Sequence, residues 1–104
     1  MLKWFKILNK NNIKEKTIIY IHGIYILLIK KNNKYFAIED NCPHQNMPIN
    51  KGRIMNNILT CPFHNASFCI KTGKIKDTLS ISDLNIFKIK IKKNKIKIQI
   101  KFSC

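Results

Sequence analysis

Two short segments in the middle of the chain constrain its fold more than any other feature of the sequence. They are Cys42-Pro43-His44 and, after sixteen intervening residues, Cys61-Pro62-Phe63-His64. Each segment offers a thiol and then an imidazole. A proline directly after each cysteine fixes the backbone φ angle there and removes an N–H group, which stiffens the segment. The pattern predicts two rigid loops whose side chains meet at one site.

Three kinds of site use these residue types. A 2Fe-2S cluster held by two cysteines on one iron and two histidines on the other needs ligands from two sides, as two loops supply. A tetrahedral zinc ion takes the same ligands, but zinc modules usually pair C-x2-4-C with H-x3-5-H. A disulfide between Cys42 and Cys61 would leave the matched histidines unexplained, and disulfides are rare in cytosolic chains. The mixed order favours the iron-sulfur cluster, with zinc and a disulfide as the alternatives.

The rest of the sequence is typical of an all-β protein. Short alternating or apolar runs predict strands at 4–8, 17–21, 25–30, 35–39, 58–60, 67–70, 86–92 and 95–102. Turn signals fall at 22–23, 32–33, 56–57, 72–73 and 93–94. No segment of helical length has a 3.6-residue period without an equally good alternating pattern. Many short strands at this spacing predict a small sandwich or barrel.

The length of 104 residues allows one compact domain and is too short for two, so we predict a single domain over residues 1–104. The longest apolar stretch, 18–29, falls short of the roughly 20 residues that span a bilayer. Residues 1–10 lack the apolar region of a secretory signal. We therefore expect a cytoplasmic protein without a membrane anchor.

The net charge of +15 comes from 19 lysines and a single arginine, Arg53, against five acidic residues. Sites that bind phosphate usually use arginine as well. Isoleucine, lysine and asparagine, which A/T-rich codons encode, make up about half of the chain. The lysines of 87–92 and 95–101 also alternate with apolar residues, which puts them on the solvent side of strands. We interpret them as a solvated face enlarged by codon bias, rather than as a nucleic-acid or membrane site.

The residues Cys42, His44, Cys61 and His64, with the flanking segments 35–40, 47–52 and 67–74, resemble the Rieske family. The resemblance covers about residues 17–102 and is strongest to the soluble ferredoxins of bacterial ring-hydroxylating oxygenases. It implies small stacked antiparallel sheets with a two-loop cluster-binding tip. It also implies one 2Fe-2S cluster per chain, with Cys42 and Cys61 on one iron and His44 and His64 on the other.

Four positions depart from parts of that family. Rieske proteins of respiratory complexes carry a second, disulfide-bonded cysteine in each loop, where this chain has Met47 and Phe63. Members with high potentials carry a serine and a tyrosine that donate hydrogen bonds to sulfur, where this chain has Ala66 and Phe68. Fewer donors to sulfur lower the reduction potential. We expect a potential in the lower half of the family's range.

The remaining residues argue against catalysis by the chain itself. Of three histidines, the cluster would use two, and His22 alone cannot build a mononuclear iron site of two histidines and a carboxylate. Three glycines leave no dinucleotide-binding fingerprint. We expect Cys69 and Cys104 to be bystander thiols, His22 to lie at the surface, and Trp4 to pack in the core or at a sheet edge.

These features predict a monomeric one-electron carrier, not an enzyme, that passes electrons from a reductase to an oxygenase or other redox protein. We expect no nucleic-acid or membrane partner. Lys51 and Lys71, as lysines near the cluster tip, are the candidates for steering an acidic partner. Two alternatives stay open: the small Rieske-like subunit of an assimilatory nitrite reductase, and a basic nucleic-acid-binding module with a structural zinc.

Overall fold

The computed structural model describes residues 2–9, 15–43, 47–62, 66–76 and 83–101, and these ranges contain strands and no helix. It follows that none of them includes a helix long and apolar enough to cross a membrane. The prediction of an all-β fold is confirmed. The nine strands are β1 (Leu2–Asn9), β2 (Lys16–Ile21), β3 (Ile24–Lys31), β4 (Lys34–Glu39), β5 (Arg53–Met55), β6 (Ile58–Thr60), β7 (Ser67–Cys69), β8 (Ile86–Lys92) and β9 (Lys95–Lys101).

All eight predicted strands are present, with ends that differ by up to two residues, and one strand was missed. The missed strand is β5, in which the half-buried Ile54 lies between two exposed residues. A three-residue strand with one inward side chain has no alternation that a sequence pattern can register. Residue 102, the predicted end of the last strand, lies outside the described residues.

Tight turns connect four pairs of consecutive strands. In each turn both central residues have positive φ, which is the geometry of a type I′ hairpin and matches the twist of the flanking strands. Asparagine tolerates this conformation better than most residues, and five of the eight positions are asparagine. At the fifth predicted turn only Gly73 has a positive φ, of 77°. The four turns are His22-Gly23, Asn32-Asn33, Asn56-Asn57 and Lys93-Asn94.

The strands form two antiparallel sheets. The larger has the order β1-β9-β8-β4-β3-β2, and the smaller has the order β5-β6-β7. In the larger sheet, β4 and β8 share only two residue pairs, Ala37 with Phe87 and Ile38 with Ile86. This short ladder joins the β8–β9 hairpin to the rest of the sheet.

Two apolar cores lie on opposite faces of β3. Leu27 and Ile29 point into the first, and Ile26 and Leu28 point into the second, so four successive residues are buried. Both edge strands, β1 and β2, contribute to the second core, so the larger sheet curls around it. Core 1 consists of Leu27, Ile29, Ile38, Cys42, Ile49, Leu59, Cys61, Ala66, Phe68, Ile70 and Leu84, and core 2 of Ile26, Leu28, Ala37, Ile96, Ile98 and Ile100.

Candidate metal centre

The structure brings together the two cysteines that the sequence singles out. Cys42 comes shortly after β4 and Cys61 directly after β6, and the two side chains are 0% and 1% exposed. Both belong to core 1. Both are free cysteines, so the structure gives no support to the alternative of a disulfide between them. Two strands from different sheets thus deliver their sulfur atoms to the same water-excluded region.

Each cysteine opens a loop that is closed in the same way. The N–H of Cys42 donates to the carbonyl oxygen of Met47 at 2.7 Å, and the N–H of Cys61 donates to that of Ala66, also at 2.7 Å. Both bonds span five residues, so the loops match in length and closure. His44 and His64 fall inside these loops but lie outside the described residues, and their role as ligands stays a prediction.

A buried carboxylate fastens the chain after the first loop. Asp40, 8% exposed, accepts hydrogen bonds from the N–H of Ile49 and from Asn50 Nδ2, both at 2.8 Å. From β2, Lys16 Nζ donates to the carbonyl oxygens of Asn50, at 3.0 Å, and Gly52, at 2.6 Å. Hydrogen bonds to charged groups are about twice as strong as neutral ones. These contacts tie the first loop to the larger sheet.

Gly52 lets the segment after the first loop lie directly against the smaller sheet. A Cβ atom built there would come within 2.4 Å of the Thr60 carbonyl oxygen and 2.9 Å of Leu59 Cδ1. Real Cβ atoms essentially never approach other atoms that closely. Glycine is therefore required by close backbone approach, and it holds the first loop near the strand that leads into the second.

The smaller sheet positions the second loop between two of its strands. Thr60, the last residue of β6, faces Ser67, the first residue of β7, and their hydroxyl oxygens are 3.3 Å apart. Beside the loop, Ala66 and Phe68 are both fully buried. Neither side chain offers a hydroxyl, so the two donors that high-potential relatives use are absent from these positions.

Of the two basic residues that the sequence suggested near the loops, one lies there and the other does not. Lys51 lies as expected beside the second loop, lining a cavity of about 410 Å³ with Cys61 and Pro62. Lys71 follows the far end of β7, and the N–H of its neighbour Ile70 donates to Asn57 in the turn at that end of the sheet. The expectation that Lys71 lies at the tip is therefore wrong. The second basic residue near the second loop is Arg53, since it lines the same cavity as Lys51.

The remaining candidates behave as bystanders. Cys69 lies on β7 as predicted, and a hydrogen bond with the Thr72 side chain lowers the pKa of its thiol. His22 is exposed in its turn, as expected, with its ring centroid 5.3 Å from that of Phe5. Trp4 is 40% exposed on the edge strand β1. Cys104 lies outside the described residues.

The chemistry of the two buried thiols fits a metal cluster. Ionised thiolates inside an apolar core are costly unless a cation neutralises them, and a coordinating thiol is deprotonated outright. Loops that begin with a buried cysteine can provide such ligands from within the core. The two described sulfurs therefore suit one half of a mixed Cys/His iron-sulfur site.

Comparisons with known proteins agree with this site. A family model, the Rieske [2Fe-2S] domain, matches residues 3–88. Apoptosis-inducing factor 3 of Mus musculus is 36% identical over 74 residues, which are 71% of this chain but only 12% of that protein. The 3-phenylpropionate/cinnamic acid dioxygenase ferredoxin subunit of Photorhabdus laumondii is 33% identical over 76 residues, or 72% of each chain.

Solved structures share the fold at low sequence identity. The ferredoxin of carbazole 1,9a-dioxygenase from Nocardioides aromaticivorans has a TM-score of 0.82 and 15% identity, covering 91% of this chain and 95% of that one. A putative NADH-dependent nitrite reductase small subunit from Mycobacterium tuberculosis has a TM-score of 0.83 and 10% identity, covering 99% of each chain.

Proposed function

Because this chain belongs to the Rieske [2Fe-2S] domain family, we propose that it is a one-electron carrier between a reductase and an oxygenase or other redox protein. The family's group is one 2Fe-2S cluster per chain, which supplies reversible one-electron transfer when bound. The observation that carries the proposal is the pair of buried thiols in core 1, each at the start of an equally closed loop.

The proposed ligands are Cys42 and Cys61 for one iron and His44 and His64 for the other. The buried, reduced thiols support the first pair, and the sequence pattern alone supports the second. The hydrogen bonds of Asp40 and Lys16 hold the chain after the first loop, and the close approach at Gly52 ties the two loops together. A loop framework that moves little between redox states favours electron transfer.

The partner classes come from the relatives. The Photorhabdus laumondii relative is the ferredoxin subunit of a dioxygenase, and the likeness covers 72% of both chains. We place this chain in the same role, as the electron-transfer component of a multi-component system that performs no substrate chemistry itself. Its proposed compartment is the cytoplasm, where reduced thiols persist.

An experiment on the whole chain tests the cofactor first. Protein purified without oxygen is analysed for iron, acid-labile sulfide and zinc, and its dithionite-reduced form is examined by EPR. We expect two irons and two sulfides per chain and the low average g value of a mixed Cys/His cluster. One zinc per chain without iron would overturn the proposal in favour of the structural-zinc module.

Electron transfer is tested with the loaded protein and the reductase and oxygenase of the Photorhabdus laumondii phenylpropionate system. The prediction is that the chain, reduced by the reductase, is reoxidised by the oxygenase with one electron per molecule. A loaded chain that is neither reduced nor reoxidised, but forms a stable complex with a nitrite reductase large subunit, would favour the alternative that the fold likeness also fits.

A further inference from the structure

Arg53 is the only arginine among the 20 basic residues of the chain. Arg53 begins β5 and pairs with Thr60, the residue directly before Cys61. The one guanidinium of the molecule therefore lies beside the second loop.

The surroundings of Arg53 form a basic pocket. A cavity of about 410 Å³ is lined by Lys51, Arg53, Thr60, Cys61 and Pro62. The described residues of the first loop, Cys42, Pro43 and Met47, do not line it. Among the described residues, the lining contains two cations, one hydroxyl and no carboxylate.

Gly52, which lies between the two cations, packs against the Thr60 carbonyl oxygen, while Lys51 and Arg53 are both exposed. The Lys16 ammonium, which binds the Gly52 and Asn50 carbonyl oxygens, adds positive charge on the inner side. Among the described residues the one ion pair is Lys74 with Asp83, so no described carboxylate neutralises Lys51 or Arg53.

We propose that this pocket binds a carboxylate side chain on the surface of an acidic redox partner. The Arg53 guanidinium forms a bidentate pair with the carboxylate, and Lys51 adds a second positive charge. The planar fork of arginine matches a carboxylate, whereas lysine acts as a point charge. Such a contact would set the partner against the surface beside the second loop, whose first residue is the buried Cys61. The identity of the partner as a redox protein rests on the proposed function. The pocket and its affinity for carboxylates do not depend on that function.

The test uses hexaglutamate as the probe and the oxidised, cluster-loaded full chain at low ionic strength. Because there is one arginine, its side-chain Nε–H gives a single peak in a ¹⁵N spectrum, which reports on the pocket alone. We expect saturable movement of this peak. Peptide affinity is measured by isothermal titration calorimetry in wild type and in every variant, because a chain without Arg53 has no arginine peak to follow. Arg53→Gln should weaken peptide binding about tenfold, as loss of a charge-assisted pair implies.

The matched control is Lys90→Gln, which removes the same charge from an exposed position on β8 in the other sheet. It should weaken binding less than about twofold, within the range of isolated surface charges. Arg53→Lys, which keeps the charge but loses the fork, should fall between wild type and Arg53→Gln. Iron content and EPR spectrum should be the same in all four proteins.

Three outcomes would overturn the proposal: no binding, binding without movement of the arginine peak, and equal weakening by Arg53→Gln and Lys90→Gln. The last would mean that the peptide senses only net charge. A chain that carries no iron would contradict the proposed function instead. The peptide titration would still show whether the pocket binds carboxylates. The two failures are therefore distinguishable.

Discussion

At the scale of single residues, the three described cysteines differ in their surroundings. Cys42 and Cys61 are buried in core 1 and open the two loops, whereas Cys69 is half-buried on β7 and hydrogen-bonded to Thr72. The hydrogen bond with Thr72 lowers the pKa of the Cys69 thiol, but this cysteine lies at the end of β7 away from the second loop. Burial and loop position, rather than a low pKa, distinguish the two proposed ligands from Cys69.

Serine substitutions separate these roles. Cys42→Ser and Cys61→Ser should each lose most of the bound iron, because a hydroxyl is a poor replacement for a thiolate ligand of iron. Cys69→Ser should keep it, and so serves as the control. Iron content and visible absorbance after anaerobic purification provide the measurement. Full iron retention in Cys61→Ser would contradict the ligand assignment.

The fully buried Ala66 and Phe68 determine a second prediction, on the reduction potential. Without hydroxyl donors to sulfur at these two positions, the reduced state is less stabilised, so the midpoint should lie in the lower half of the mixed-ligand range of about −150 to +300 mV. Ala66→Ser combined with Phe68→Tyr should raise it. Phe87→Tyr, which adds a hydroxyl at the edge of core 2, should not. A wild-type midpoint above about +200 mV would contradict this account.

At the scale of strands and loops, Gly52 and Gly23 form a natural pair of probes. Gly52→Ala puts a methyl group against the Thr60 backbone and should destabilise the fold by about 1–3 kcal/mol, as overpacking does. Gly23 has φ of 85° and open space around it, so Gly23→Ala should cost only the left-handed backbone strain, about 1–2 kcal/mol.

Only the first of these variants should also reduce iron occupancy, since Gly52 holds the first loop against the second. Urea midpoints and iron content on both variants test this. Equal iron loss in the two would show that general destabilisation, and not the close approach at Gly52, controls the site.

Lysines form a row of like charges across the neighbouring strands β1, β9 and β8 of the larger sheet. Lys97 pairs with Lys6 on one side and with Lys90 on the other. Repulsion from Lys95, with a smaller part from Lys97, lowers the pKa of Lys6 from its ordinary 10.5. Like charges directly opposite one another across strands are destabilising. This arrangement predicts how stability depends on charge.

Lys97→Gln should therefore raise the melting temperature at low salt, and added salt should shrink the gain. The sign of the pH effect follows from Lys6: just below pH 10.5 the unfolded chain holds more protons than the folded one, so stability should rise with pH in that window. Thermal melts across salt and pH check both. Lys51→Gln, outside the row, is the control; an equal gain there would point to net charge alone.

Most of the strands were predictable because alternation and asparagine turns are local signals. The residues that lie around the second loop could not be predicted, because they depend on which residues of β5 and β6 pair with one another. Lys71 is ten residues from Cys61 in sequence, but β7 carries the chain about 3.3 Å away per residue. Arg53 is nearer only because β5, the missed strand, pairs with β6. The one sequence feature that sets Arg53 apart is that it is the only arginine of the chain.

At the scale of the whole molecule, β3 divides the interior into two cores that differ in their relation to the loops. Core 1 contains both cysteines and the described apolar residues around them. Core 2 draws its buried residues from β3, β4 and β9, with none from either loop or from the smaller sheet among the described residues. Core 2 is thus packed without residues of the site, whereas the larger sheet also contributes Leu27, Ile29 and Ile38 to core 1.

Iron removal should consequently affect the two parts differently. When iron is chelated anaerobically, segments 40–43, 47–62 and 66–76 should lose most of their protection from amide hydrogen exchange, because core 1 then contains two unliganded thiols and two unsupported loops. The strands around core 2 should keep theirs. Exchange measured by mass spectrometry on loaded and iron-free protein resolves these segments.

A pair of core variants tests the same division of the fold without a chelator. Leu59→Ala and Ile98→Ala each remove a fully buried side chain, at a cost of about 2–5 kcal/mol. Leu59→Ala should expose the smaller sheet and release iron while β3 and β9 stay protected. Ile98→Ala should lower protection throughout, since the larger sheet carries β3 and, through it, one wall of core 1. Uniform loss in both variants would mean that the two cores unfold as one cooperative unit, and that the loops are not a separable part of the fold.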